Sequence, residues 1–299
     1  MKVAVAGANG LIGSNLVRAL RARGDEVVPL VRSPRNPGEV RWDPKAGGEW
    51  TRALDGVDGV VNLAGANVGG KRWSEDYKKE IRESRLQATR ALVEGMRSAS
   101  RRPGVFVSAS AVGYYGGRGD EEVTESTPPG RDFLAEVCKA WEGEAAHAEQ
   151  LGVRTVLLRT GVVLDGNDGA LKKMVPPFKA FVGGPIGSGR QWVPWIHIGD
   201  EVGLILWALD GTVRGPVDAT APKPARMQDF ARALGRALGR PSLLPVPAFA
   251  LRLAIGGMAE VLLEGQRALP RKALEGGYRF QFDDLERAFR DVLGGPSKA

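Results

Sequence analysis

Short apolar runs and amphipathic stretches alternate through the first half of the chain. Residues 2–6, 26–31, 57–63, 104–108 and 154–159 are brief and apolar at nearly every position, whereas 11–23, 73–99 and 133–151 repeat apolar residues at helical spacing. This alternation predicts a parallel sheet with helices on both faces, because parallel neighbours need crossover connections. Strands apolar on both faces fit such a covered sheet. After Leu164 the pattern loosens into GGPIGSGRQWVP and tightens again through WIHIGDEVGLILWAL. From Pro222 onward it reads as helices broken by prolines: MQDFARALGRALG, PAFALRLAIGGMAEVLLEG and DDLERAFRDVL. The expected layout is an α/β core over 1–164, rejoined by about 195–220, and a smaller, mostly helical lobe from about 165–194 and 221–299.

Composition narrows the chemistry. The 299 residues are 43% hydrophobic and 26% charged, as in an ordinary globular protein. The opening MKVAVAGANG enters a strand at once, and no run approaches the roughly 18 apolar residues of a membrane helix, so no membrane partner and a cytoplasmic location are expected. One cysteine, Cys138, with two histidines, His147 and His197, leaves no internal disulfide and no metal site of the Cys/His kind. The formal charge of +7 is spread over segments such as RALRARG and RALGRALGR, without a groove-reading or base-stacking element, which argues against nucleic acid. It suits anionic, phosphate-bearing ligands.

The strongest local signal is VAVAGANGLIGSNLVRAL, where Gly7, Gly10 and Gly13 sit between a strand and a helix. Gly7 allows the tight turn, Gly10 the approach of a diphosphate, and Gly13 close packing of helix on strand. The diphosphate then rests on the positive end of the helix, with Asn9, Leu11 and Ile12 completing the cofactor-binding turn. This is the fingerprint of a Rossmann-type, doubly wound domain. The second strand ends in Val31-Arg32-Ser33 rather than an acidic residue, so Arg32 and Ser33 are expected to hold a 2′-phosphate, favouring NADP over NAD.

Several segments resemble the extended short-chain dehydrogenases of the NAD-dependent epimerase/dehydratase type. Val61-Asn62-Leu63-Ala64-Gly65 resembles their N-x-A-G turn, VFVSASAVGYYG their S-S-x-x-V-Y-G stretch, LRTGVVL their L-R-x-x-x-V-Y segment, and GSGRQWVPWIHIGDEVGLIL the stretch that leads back to the core. The last 80 or so residues are similar to the small C-terminal domain of the atypical subgroup numbered 39U. The resemblance implies that Leu63, Ala64 and Gly65 line the cofactor, that Ser110 is the catalytic serine, and that Lys139 is the lysine of Y-x-x-x-K, holding the nicotinamide ribose. It places Ser84, beside Arg85, near that lysine. Four residues before Lys139 stands Ala135, so the usual general acid is missing. Tyr114 and Tyr115 are the candidate substitutes, and Arg190 and Trp192 the candidate substrate contacts. His197 is expected to make a structural hydrogen bond and Cys138 to pack in the core. A homodimer through a two-helix face is carried over by analogy alone.

Two functions compete at this level. One is an NADP-dependent epimerase or oxidoreductase acting on a small molecule, a nucleotide-sugar or carbonyl compound. The other is a catalytically impaired dinucleotide-binding regulatory or sensor protein, in keeping with the cell-division-inhibitor label some relatives carry.

Overall fold

The computed structural model describes residues 1–294; the end of the stretch 221–299 assigned to the second lobe, 295–299, lies outside the described residues. Strand β1 (Lys2–Ala6) is followed by α1 (Leu11–Ala22), β2 (Glu26–Val31) and the two-residue edge β3 (Val40–Arg41). β4 (Gly59–Asn62) precedes the long α2 (Glu75–Ser98), and β5 (Val105–Ala111) leads through the short β6 (Glu122–Val123) to α3 (Phe133–Ala146). Next come β7 (Arg154–Thr160), β8 (Val162–Leu164), α4 (Gly169–Lys179), β9 (Trp192–Val193), β10 (Trp195–His197), α5 (Ile198–Asp210) and β11 (Gly215–Ala219). The tail holds β12 (Ala225–Arg226), α6 (Met227–Leu238), α7 (Ala248–Ile255), α8 (Met258–Leu263), β13 (Arg267–Ala268), α9 (Arg271–Glu275) and α10 (Leu285–Val292).

Seven strands form one sheet in the order β11-β7-β5-β4-β1-β2-β3, every pair parallel. The alternation in the sequence therefore becomes the doubly wound α/β sheet it predicts. Leu16 and Leu20 of α1 and Leu204 and Ile205 of α5 pack on one face. Leu92 and Met96 of α2 and Ala145 of α3 pack on the other. A separate core around Trp195, Phe230 and Phe289 binds α4, α6 and α10 together at the end of the sheet where the strands finish.

Chain order reverses between β1 and β4, and in open α/β sheets that point opens a crevice beyond the carboxyl ends of the strands. Register sets what faces the crevice: Ser110 pairs across with Arg159, and Arg159 with Asp218.

Boundaries move for local reasons. α2 begins at Glu75 because the Ser74 side chain accepts from the Tyr77 N–H at 3.2 Å, an N-cap. The predicted stretch 247–265 splits into α7 and α8 at Gly256, which takes φ +63°. Among the described residues no helix is long and apolar enough to cross a membrane, and no group of His, Cys, Asp and Glu is arranged to hold a metal.

Glu201, in the first turn of α5, is fully buried. Its Oε1 accepts from the Thr160 hydroxyl at 2.8 Å and its Oε2 has no partner among the described residues. Burial pushes this carboxyl up to about 8 from its ordinary 4.5. An acid whose pKa is raised on folding favours its neutral form, so stability from this group is complete below about pH 4.5, declines as pH rises toward 8, and is level above. Glu201→Gln should remove that slope and raise stability at pH 8 by roughly 1–3 kcal/mol in urea unfolding. Parallel pH–stability curves for the two proteins would show that Glu201 is ionised in the fold.

Candidate active site

The glycine-rich turn is shaped by close contact. Gly7 takes φ +79°, and a Cβ there would lie 2.8 Å from the Leu63 carbonyl. A Cβ on Gly13 would lie 2.2 Å from the Gly7 oxygen, so α1 can start this near the strand only without one. Gly10, the N-cap, offers no side chain, and the first turn of α1 contains no acid. The N–H groups of Leu11, Ile12 and Gly13 have no acceptor among the described residues. Asn9 and Gly10 are exposed at the rim. The result is a set of free donors at the positive end of a twelve-residue helix, facing the crevice.

On the β2 side of this turn, Arg32 and Ser33 are exposed immediately after the strand, and no carboxylate pairs with Arg32 among the described residues. On the β4 side, Leu63 and Ala64 press against Gly7, and the Ala64 N–H donates to Asn62 Oδ1 at 3.2 Å. Ser84 accepts from the Ala66 N–H at 3.0 Å and donates to the Ile81 carbonyl at 3.2 Å. Its hydroxyl thus fixes the loop after β4 instead of facing the crevice.

At the end of β5, Ser110 is buried and donates to Glu142 Oε1 at 2.6 Å. Arg159 grips the same carboxylate through Nε and Nη2, both at 2.8 Å. Its Nη1 reaches the Tyr115 hydroxyl at 3.0 Å, and that hydroxyl donates to Asp218 Oδ1 at 2.7 Å. Burial raises both the Tyr115 phenol and the Asp218 carboxyl above their ordinary values. Tyr115 is fully enclosed and its hydroxyl is committed to this network, which corrects the expectation that it serves as a general acid. Tyr114 differs. It is half-buried, with the Arg159 guanidinium 3.5 Å from its ring centre, and its hydroxyl has no partner among the described residues.

α3 corrects a second expectation. Glu136, Lys139, Gly143 and Ala146 form its exposed stripe, while Ala135, Cys138 and Glu142 are buried. Lys139 therefore points to solvent, and the residue turned toward Ser110 is Cys138. Burial, with Glu142 nearby, pushes that thiol up to about 12, so it is neutral and unreactive at physiological pH. On this helix the tyrosine position holds the buried Ala135, and Lys139 lies on the exposed stripe.

Arg190 lies on the rim of a cavity of about 420 Å³ lined also by Gly119, Asp120, Gln191, Arg226 and Glu264. Trp192 is half-buried beside it, its indole N–H donating to Asp120 Oδ1 at 2.9 Å. The Arg226 guanidinium lies 4.1 Å from its ring centre and that of Arg267 at 5.2 Å. Trp192 is thus already stacked, and acts as a wall where the sequence suggested a platform. Asp120, Arg226 and Glu264 carry no motif, so only the fold reveals them. His197 caps α5, accepting from the Gly199 N–H at 3.0 Å, stacks on Phe282 at 3.7 Å, and is depressed below its ordinary pKa by burial, as a structural residue.

Comparison with known proteins places this geometry. The model of the NAD dependent epimerase/dehydratase family matches residues 3–219, and a domain of unknown function, DUF1731, matches 246–292. The chain is 43% identical to the epimerase family protein SDR39U1 homolog, chloroplastic, of Arabidopsis thaliana, over 98% of this chain and 87% of that protein. It is 41% identical to the epimerase family protein ML0860 of Mycobacterium leprae, over 99% and 97%. The crystal structure of human epimerase family protein SDR39U1 (isoform 2) with NADPH superposes with a TM-score of 0.91 at 37% identity, covering 98% of this chain and 99% of that one. With its glycine turn, parallel sheet and paired C-terminal domain, the chain belongs to the NAD-dependent epimerase/dehydratase family.

Proposed function

We propose that this protein binds NADP(H) across the carboxyl ends of its strands and is an epimerase- or oxidoreductase-type protein acting on a small molecule, a nucleotide-sugar or carbonyl compound. The observation that carries this is the uncapped start of α1 with unpaired Arg32 beside it, a site for a diphosphate next to a site for a 2′-phosphate. The NADPH held by the human SDR39U1 structure supports the same cofactor here. In this reading 165–194 and the described part of 221–299, up to residue 294, form the substrate-side lobe, with Arg190 at the rim of its cavity. A cytoplasmic location goes with this role. The exposed faces of α2 and α3 carry Lys79, Glu83, Arg90 and Glu136, and a charged face of this kind lends no support to a dimer there.

Ser110 points its proton at Glu142, so what it presents to a ligand is a lone pair. Such a serine receives a substrate hydroxyl, which suits alcohol oxidation or the first half of an epimerisation. Tyr114, whose phenol is uncommitted, is the remaining proton carrier. A second reading, a dinucleotide sensor without turnover, is favoured by Lys139 standing in solvent and Ala135 in the core.

Calorimetry should find NADPH binding that Arg32→Asp weakens by about tenfold or more, with NADH affinity little changed. Equal losses for the two cofactors would remove Arg32 from 2′-phosphate recognition. Gly13→Ala should abolish dinucleotide binding and lower stability by about 1–3 kcal/mol, as α1 is forced off the turn; a variant that binds NADPH like wild type would refute the diphosphate site. Hydride exchange with a panel of carbonyl compounds and nucleotide-sugars separates enzyme from sensor. Turnover that survives Tyr114→Phe undiminished would dismiss Tyr114, whose loss should cost about 10²- to 10⁴-fold.

A further inference from the structure

Most of the large apolar side chains that the fold leaves in water stand together. Of eight such side chains among the described residues, six are Phe181, Val182, Leu243, Leu244, Phe249 and Leu253. The first two follow α4 and the next two precede α7. Backbone bonds hold these segments side by side: the Leu244 N–H donates to the Gly183 carbonyl at 3.4 Å, the Val246 N–H to that of Pro185 at 2.9 Å, and the Gly187 N–H to that of Val246 at 2.9 Å. α7 then starts at Ala248, and Phe249 and Leu253, four residues apart, share one of its faces at 73% and 75% exposure. Every residue of α7 except Arg252 is apolar, yet none is buried. Phe181 takes φ +64°, alone among the described non-glycine residues, a conformation that bulky residues rarely adopt, and it too is exposed. Single apolar residues on a surface need no explanation, whereas a contiguous set marks a contact.

The charge around the patch has one sign. The stretches 169–199 and 230–259, which contain all six side chains, hold eight lysines and arginines and no Asp or Glu. Arg232, Arg236 and Arg252 are answered from outside these stretches by Asp229, Glu286 and Glu260. Lys172, Lys179 and Arg240 are exposed and pair with no carboxylate among the described residues. The Arg240 guanidinium instead lies 4.5 Å from the ring centre of Phe181, which joins the cations to the apolar set. Isologous contact between two copies of this face would bring these cations against their own counterparts, which disfavours a second copy. A peptide needs a groove or an open sheet edge, whereas Phe249 and Leu253 project from a helix with no buried residue. Projecting apolar side chains ringed by cations suit a lipid surface that is negatively charged.

We propose that this face rests on an anionic phospholipid surface, with Phe181, Leu243, Phe249 and Leu253 entering the boundary between head groups and acyl chains and Lys172, Lys179 and Arg240 meeting lipid phosphates. No helix among the described residues is long and apolar enough to cross a membrane, so the contact is peripheral. The lack of a spanning run, on which the expectation of no membrane partner rests, does not bear on a surface contact of this kind. The proposal is independent of the cofactor reading, because none of these residues belongs to the glycine turn, β2 or β5.

The test is flotation of the full chain with vesicles of phosphatidylcholine alone and of phosphatidylcholine mixed with phosphatidylglycerol. Wild type should bind the mixed vesicles about tenfold or more above the neutral ones, and high salt should shrink that difference. The double variant Phe249→Ser with Leu253→Ser, and separately Lys179→Glu with Arg240→Glu, should each weaken mixed-vesicle binding by about tenfold or more. All four side chains are exposed, and an unchanged urea midpoint verifies that the variants fold. Should a double variant unfold, Leu253→Ser or Arg240→Gln alone carries the test, with a severalfold loss expected. A wild type that stays off both kinds of vesicle overturns the proposal, and so do variants that bind like wild type or equal binding to neutral and mixed vesicles. A wild-type dimer on gel filtration that Phe249→Ser with Leu253→Ser turns into monomer, without vesicle uptake, gives the face to a second copy and likewise refutes the lipid contact.

Discussion

The candidate site is organised around one buried ion pair, Glu142 with Arg159. Only 3% of the arginine side chain and 9% of the glutamate side chain are exposed. An arginine cannot shed its proton to escape burial, so once strand register sets Arg159 in the row between Ser110 and Asp218, an acid must meet it there. α3 supplies that acid and is thereby fixed against the ends of β5 and β7. Removing either partner would strand a buried charge at a cost of about 3–5 kcal/mol, although the intact pair adds little net stability. What it contributes is position, for two edges and one face of the guanidinium are occupied by Glu142, Tyr115 and Tyr114.

The same pair sets proton directions in the crevice. Glu142, gripped by Arg159, accepts the hydrogen bond of the Ser110 hydroxyl, and Asp218 accepts that of Tyr115. Two residues that resemble catalytic donors are thus turned inward as donors to the protein. Ser110 retains lone pairs for a ligand, Tyr115 retains nothing, and Tyr114, stacked on the back of the guanidinium, keeps its phenol free.

The fold was largely legible because its signals are local. Apolar runs at 2–6 and 26–31 coincide with β1 and β2 to the residue, and the glycine turn announces the start of α1. The two-residue β3 was invisible, since an edge strand so short and half-exposed has no periodicity to detect. The side chains beyond the turn were harder to read. Lys139 matched a spacing, yet one residue of helical rotation, 100°, separates the sheet-facing Cys138 from the solvent-facing lysine. The stripe of Glu136, Lys139 and Gly143 was a signal in the sequence that the motif overrode. Arg85 stood out in the sequence only as the neighbour of Ser84, because its surroundings come from Gly65 and Trp141, each far away along the chain.

Cofactor recognition and proton transfer are separable in this architecture. In the proposed reading, recognition draws on the start of α1 and on Arg32, two positive features beside β1 and β2, neither of them answered by a carboxylate among the described residues. Proton transfer in the family pattern draws on the side of α3 that faces the crevice, which here holds an alanine and a neutral thiol. Change in the second set leaves the electrostatics of the first intact, because the donors proposed to hold an anion are the backbone amides at the start of α1 and the guanidinium that follows β2. The reacting end of the crevice can therefore change without disturbing the proposed cofactor site, because Ser110, Tyr114 and the arginine-rimmed cavity beside Trp192 are not constrained by the glycine turn.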